Sequence, residues 1–272
     1  MSLRSNGSYI GPRPDGPSLS AASGIWDLRT AERQLRSAAW PIPTLDPASI
    51  SGLAGWWDAS DASTLYDATS GGSLVAADGA VARWEDKSGN LRHATQSTSA
   101  KRPLRSVAQV NGLDALTFDG TDDKFFYSGP SQSDATIFAV VRKVAGGSSY
   151  QGVFGFAKTY AIYSQLSGAN WGVYNVNQSQ NNPSGVTLAP GTAYALTARR
   201  TSSNRFLYTN GVLSAQVAGD SFSGYADVIG ADADNTQVHK GVICELLAYT
   251  ASLSDTDREQ VETYLMIKWG IS

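Results

Sequence analysis

Cysteine is almost absent from this sequence. Cys244 stands alone in the apolar run GVICELLAY, so no disulfide forms within the chain and the thiol reads as a small packed hydrophobe. Histidine is nearly as scarce, and His93 and His239 lie far apart in sequence. They supply neither a base beside a serine or cysteine nucleophile nor a clustered metal site. The only glutamates are Glu32, Glu85, Glu245, Glu259 and Glu262. None belongs to the Glu-x-Asp-x-x-Glu arrangement that puts a general acid and a nucleophile on one strand, so no catalytic residue is assigned and enzyme activity is not expected. Glu245 reads as an inward acid paired with an arginine, or as an edge residue. Charged residues make up 17% of the chain and the net charge is -3. Nucleic acid and anionic membrane surfaces recruit dense Lys/Arg faces, so neither is an expected partner. The basic groups at Lys101, Arg102, Arg105 and at Arg199, Arg200, Arg205 read as solvated strand ends. No apolar run approaches the roughly 20 residues of a membrane span. The polar start MSLRSNGSYIGPRPDGPSLS has no signal-peptide pattern, so synthesis in a host cytoplasm is expected.

Six of the ten prolines lie within residues 1–50, where fixed φ angles and missing donors favour an extended arm over a core. Between its proline clusters, SGIWDLRTAERQLRSAAWP places Ile25, Leu28, Leu35 and Ala39 at helical spacing and Pro41 as a stop. That stripe is too thin to stand alone, so the short helix needs another chain or the oligomer to lie against.

From residue 51 to 272 the signals are strands. ATIFAVVRKV, YAIYSQL, WGVYNV, AYALTARR and RFLYTNGVLSAQV are rich in β-branched and aromatic residues and bounded by turn formers. Asn210-Gly211 supplies the two positive φ angles of a type I′ hairpin. The closing LSDTDREQVETYLMIKWGIS is a helix: Ser254 caps its start, Asp255 and Asp257 complement its positive end, Val261, Leu265 and Trp269 form its apolar stripe, and Gly270 ends it. It is expected to cover an edge or end of a β sandwich. In GLAGWWDAS, alternation sends Trp56 and Trp57 to opposite faces of one strand.

Two site readings follow from composition. YAIYSQLSGANWGVYNVNQSQNN concentrates flat rings and amides suited to sugar faces and hydroxyls, which nominates Tyr163, Trp171, Tyr174, Asn175 and Asn177, with core packing of Trp171 the alternative. DGTDD at 119–123 and DADN at 232–235 set hard oxygen ligands in loops, leaving calcium open beside simple Asx-turns; no other cofactor is indicated.

The blocks GLAGWWDAS, VARWEDKSGNLRHATQ, VNGLDALTFDGTDDKF, RFLYTNGVL and GVICELLAYTASLSDTDREQVETYLMIKWGIS resemble, in this order, the blocks of a laminin-G-like, concanavalin A-like lectin domain. The resemblance implies an all-β, two-sheet antiparallel jelly roll over 51–272, with Trp57 in the core and His93 structural. SYIGPRP followed by GIWDLRTAERQLRSAAWP is similar to the N-terminal arms of bacteriophage tail or head fibre proteins. That likeness implies a virion protein, homotrimeric, anchored to other virion proteins through residues 1–50 by Ile25, Trp26, Leu28, Leu35 and Trp40, and displaying a domain for cell-surface polysaccharide. The alternatives are a decoration or cement protein without a glycan ligand, and a glycan-degrading enzyme, which needs a carboxylate pair converging in a cleft.

Overall fold

The computed structural model describes residues 45–130, 134–156, 160–165, 170–175, 180–201, 203–218, 227–232 and 236–272. Ile25, Trp26, Leu28, Leu35 and Trp40, expected to anchor an arm, lie outside the described residues. Residues from Asp46 to Ser272 form one compact unit.

The strands in chain order are β1 (Leu53–Asp58), β2 (Leu65–Tyr66), β3 (Arg83–Trp84), β4 (Ala94–Thr95), β5 (Leu104–Val110), β6 (Leu113–Asp119), β7 (Phe125–Phe126), β8 (Ala135–Lys143) and β9 (Gln151–Phe156). There follow β10 (Tyr160–Gln165), β11 (Asn170–Asn175), β12 (Gln180–Thr187), β13 (Ala193–Arg200), β14 (Asn204–Thr209), β15 (Val212–Ala218), β16 (Val228–Ile229) and β17 (Lys240–Tyr249), then one helix, α1 (Asp255–Trp269). Among the described residues they make two antiparallel sheets. The first runs β15-β14-β13-β8-β17-β6-β5, with β1 also on β17; the second runs β12-β11-β10-β9-β16-β7-β4-β3-β2. The long β17 pairs with β6 through its first half and with β1 through its second.

The inner faces of both sheets meet in one apolar core. Ile137, Ala139, Val141, Leu196, Leu246 and Ala248 from the first sheet face Leu65, Trp84, Phe125, Phe154, Ile162 and Val173 from the second. Alternation divides the tryptophan pair as it must. Trp57 is fully buried and sets its ring edge-on to Tyr127 and Phe154, at centroid distances of 4.8 and 5.7 Å, whereas Trp56 faces outward.

Helix α1 packs over β8 and β13, on the outer face of the first sheet rather than at an edge or end. Val261, Leu265 and Trp269 are its buried stripe, and the Ser254 hydroxyl accepts from the Asp257 amide at 3.1 Å. Gly270 closes the helix at φ 63°, a left-handed turn that glycine adopts without strain. Two Asn-Gly hairpins reach this end. Asn210-Gly211 (φ 48° and 76°) and Asn111-Gly112 (φ 50° and 75°) take the type I′ form, and their Asn amides donate to the Ser272 and Lys268 carbonyls at 3.1 and 2.9 Å. The basic groups are only partly solvated: Arg105 pairs with Asp114 at 2.8 Å, and Arg200 and Arg205 are buried.

Residues 46–50 pack with the sandwich although they fall in the proline-rich stretch of the sequence. Pro47 and Ile50 are buried, and the Pro47 carbonyl accepts the Tyr249 hydroxyl at 3.0 Å. A chain beginning at Asp46 is therefore expected to unfold in one cooperative step. One beginning at Ser51 loses a buried isoleucine and a buried hydrogen bond, together roughly 2–4 kcal/mol. Urea titration of the two truncations, followed by tryptophan fluorescence, measures the difference; equal midpoints would remove the assignment of residues 46–50 to the domain.

Candidate functional site

The strand segment that composition marked for sugar is largely interior. Trp171 has 0% of its surface exposed, shares the core with Val173, and donates its indole N–H to the Thr209 hydroxyl at 2.8 Å. Tyr163, on the opposite side of the neighbouring strand, is 1% exposed. Neither ring offers a face to a sugar, which corrects their nomination. Aromatic residues at alternate strand positions serve a core as well as a binding surface; inward parity buries Trp171, while Tyr163 is covered on the other face of the sheet. The side chains of Tyr174 and Asn175, and all of Asn177, lie outside the described residues.

Glu245 is also buried, but toward α1 and not with an arginine. Trp56 and Tyr264 each donate to its Oε1 at 2.8 Å, while Lys268 and Trp269 donate to its Oε2 at 2.7 and 2.8 Å. Lys268 also pairs with Asp58 at 2.8 Å, and Lys87 joins Asp58 to Asp61 at 3.2 and 2.8 Å. Burial and then the Asp58 carboxylate raise the Glu245 carboxyl above its ordinary value, with Lys268 opposing. Burial also raises Asp58, but Lys268, Ser60 and Lys87 outweigh it and leave that carboxyl low. The two acids share a lysine, yet they are closed beneath Trp56, Tyr264 and Trp269, so this pair has no room for a glycosidic bond.

In the 119–123 loop, carboxylate oxygens of Asp119, Asp122 and Asp123 lie within 4.8 Å of one another. The Asp119 carboxylate accepts the Thr121 amide at 2.7 Å, as in an Asx-turn, and that of Asp123 accepts the Asp119 amide at 2.9 Å and closes the loop. Burial, then the neighbouring Asp119 and Asp122, push the Asp123 carboxyl up to about 6. Asp232 accepts the Thr236 and Gln237 amides at 2.7 and 3.0 Å, while residues 233–235 lie outside the described residues. His239 is fully buried with its Nδ1 3.0 Å from the Ser164 hydroxyl. Burial, with Lys143 nearby, holds its imidazole down at about 4.

The outer face of the second sheet differs. Register aligns Tyr66, Arg83, Thr95, Phe126 and Val228 across β2, β3, β4, β7 and β16. Their chain neighbours Leu65, Trp84, Ala94, Phe125 and Ile229 point into the core. At neighbouring-strand spacing, Tyr66 and Phe126 stand about 14 Å apart. Arg83 lies over the Tyr66 ring at 4.1 Å and donates to the Ala68 and Gly71 carbonyls, so it fixes the adjoining loop. Phe126 is 41% exposed. It borders a cleft of about 430 Å³ lined also by Thr95, Gln96, Ser97, Thr98, Lys101 and Lys124. A second cleft, of about 330 Å³ near the end of α1, contains Arg142, both of whose terminal nitrogens are taken by Gln109 at 2.7 and 2.6 Å.

The floor of the Phe126 cleft is tied down. The Gln96 amide donates to the Lys124 carbonyl at 2.9 Å, and the Arg102 guanidinium donates to the Gln96, Ser97 and Asp67 carbonyls at 3.0, 3.3 and 3.2 Å. This patch escaped sequence reasoning. The signal that finds it is the pair Phe125-Phe126: as with Trp56-Trp57, two adjacent strand aromatics cannot share one core.

No protein-family profile and no curated protein matches the chain. Solved structures do. Domain 4 of AbnA, a GH43 extracellular arabinanase from Geobacillus stearothermophilus, in complex with arabinotriose, superposes with a TM-score of 0.53 at 14% identity, over 78% of this chain and 98% of that one. Trypanosoma rangeli sialidase gives 0.52 at 12% identity, and the receptor-binding domain of botulinum neurotoxin D gives 0.51 at 10%. The chain covers 85% of its own length but 35% of the sialidase, and 83% of its own length but 56% of the toxin domain. At such identities the likeness shows the fold alone: a two-sheet antiparallel β sandwich.

Two tests follow from these buried charges. Lys268→Met leaves Glu245 and Asp58 without their shared cation and is expected to cost roughly 3–5 kcal/mol of folding stability. Adding Glu245→Gln should restore part of it, so strict additivity in urea titrations would argue against the coupling. The second test is acidification. Because the His239 imidazole is depressed in the folded protein, its contribution is complete above about pH 6.5 and is lost as pH falls toward 4, up to roughly 3 kcal/mol. Asp123, raised when folded, works oppositely and gains stability between pH 6 and 4. Asp123→Asn removes that gain, so its loss of stability from pH 7 to 4.5 should be steeper than that of the unaltered protein; a shallower loss contradicts the assignment.

Proposed function

We propose that residues 46–272 form a non-catalytic, lectin-like module that binds glycans on the outer face of its second sheet. The observation that carries this reading is Phe126, an exposed ring beside the hydroxyls of Thr95, Ser97 and Thr98 on a pinned cleft floor. An aromatic face meets the C–H side of a sugar ring, and flanking hydroxyls answer its hydroxyl groups. The cleft volume falls in the range of small-ligand sites. The arabinotriose complex of the AbnA domain and the receptor-binding role named for the toxin domain are in keeping with it. The setting we propose is a bacteriophage fibre, in which the proline-rich arm holds a homotrimer to the virion and the sandwich meets cell-surface polysaccharide. The fibre-like SYIGPRP and GIWDLRTAERQLRSAAWP segments support that part.

A glycan panel tests the reading. Phe126→Ala should weaken saccharide binding by about 1–3 kcal/mol with an unchanged melting temperature. Trp171→Ala should do the reverse, losing roughly 3–5 kcal/mol from folding with no selective effect on binding where the protein is still folded. Failure of the unaltered protein to bind any saccharide would remove the lectin function.

A further inference from the structure

The second cleft, near the end of α1, plays no part in the Phe126 site. Arg142 is the only charged side chain that lines it; Gln109, Asn111, Thr192 and Asn210 supply neutral polar groups and Ile271 an apolar one. Arg142 is half-buried near the end of β8, on the outer face of the first sheet, because its neighbour Val141 points into the core. Its Nη1 donates to the Gln109 carbonyl at 2.7 Å and its Nη2 to the Gln109 side-chain oxygen at 2.6 Å. One residue thus fixes the plane of the guanidinium, which carries more N–H donors than Gln109 uses, that of Nε among them. Among the described residues no carboxylate stands within 4.0 Å of its nitrogens. Asn111 and Asn210 each spend one amide hydrogen on a carbonyl, of Lys268 and of Ser272, and keep the other. The Met266 and Ile267 carbonyls are filled by the Ile271 and Gly270 amides at 2.8 and 3.3 Å, so the wall toward the cleft consists mainly of donors.

We propose that this cleft binds a small organic monocarboxylate, whose two oxygens take the Nε hydrogen and a spare Nη hydrogen of Arg142 side by side. The edge of a guanidinium matches a carboxylate in this way, two parallel bonds to two oxygens. The exposed Thr192 hydroxyl and the spare amide hydrogens of Asn111 and Asn210 meet polar groups of the ligand, and Ile271 meets its carbon skeleton. One cation among neutral walls balances one negative charge, and the negative end of the α1 dipole stands against a second, so sulfate and phosphate fit less well. A volume of about 330 Å³ lies at the small end of ligand sites and suits an acid of sugar size or less. The site is independent of the glycan-binding reading, because its walls come from α1 and the first sheet.

Amide NMR of the full chain tests the site. Lactate and glucuronate, which separate a small hydroxy acid from a uronic acid, are titrated beside their neutral counterparts lactamide and glucose, and beside sulfate. The Arg142 Nε–H and the Thr192 and Asn210 backbone amides are followed. At least one carboxylate is expected to shift these signals saturably and to bind roughly tenfold or more tightly than its neutral counterpart, with sulfate weaker than that acid. Arg142→Gln should abolish the preference, and Thr192→Val, at an exposed position, should weaken the acid by roughly threefold to tenfold. Phe126→Ala should leave it unchanged, which separates this cleft from the glycan site. If Arg142→Gln fails to fold, Thr192→Val decides the matter. Equal binding of acid and neutral counterpart, or sulfate as tight as the acids, overturns the monocarboxylate assignment. A preference untouched by both cleft variants overturns the location. Absence of any saturable shift overturns the site and leaves Arg142 as a tie to Gln109 and a counter-charge to the end of α1.

Discussion

Glu245 has no exposed surface, and both of its oxygens accept from groups on other elements. A carboxylate so placed is tolerable only with its acceptor sites filled and a cation at hand, so the positions of Trp56 on β1 and of Tyr264, Lys268 and Trp269 on α1 are bound to that of β17. Arg199 makes a second tie by donating to the Leu253 carbonyl at 3.0 Å and pairing with Asp255 at 2.8 Å. Arg258 makes a third by resting over the Tyr208 ring at 3.9 Å. These contacts spread α1 across the outer face of the first sheet. Among the described residues, an open part of the sandwich surface that combines an exposed ring with a cleft lies on the second sheet.

The direction in which Glu245 points depends on an irregularity. Ile243 pairs with Val141 and Glu245 with Val140, so Cys244 is an extra residue, a bulge in β17 opposite β8. The bulge resets the alternation: Ile243 faces the core, as do Leu246 and Ala248, and Glu245 is thereby turned to the helix. In sequence, GVICELLAY reads as an unbroken apolar strand with an acid in it, and parity counted without a bulge sends Glu245 inward. One residue therefore separates a core acid from a helix anchor.

Much of the scaffold was legible because its causes are local. Ser254, Gly270 and Asn210-Gly211 act through their own backbone geometry, and each is found where its chemistry puts it. The Trp56-Trp57 pair needed only the two-residue period of a strand. The outer face that carries Phe126 was not legible in the same way, since Tyr66, Thr95 and Phe126 come from three short strands and meet only through register. Composition pointed instead at the Trp171 region, where abundant rings and amides serve packing: the indole N–H of Trp171 is satisfied inside by Thr209. Rings and amides are needed by cores and by sugar sites alike, so composition alone does not tell the two apart.

Lys124 is the residue at which local physics and the fold disagree most. The next position, Phe125 on β7, fills the core. The chain holds Lys124 almost wholly out of water, where burial and Lys101 disfavour its ammonium while Asp122 and Asp232 favour it. The surrounding bonds from Gln96 and Arg102 keep the loop from relaxing away from that arrangement. The tied floor and the exposed Phe126 ring thus lie together on the sheet that α1 leaves open.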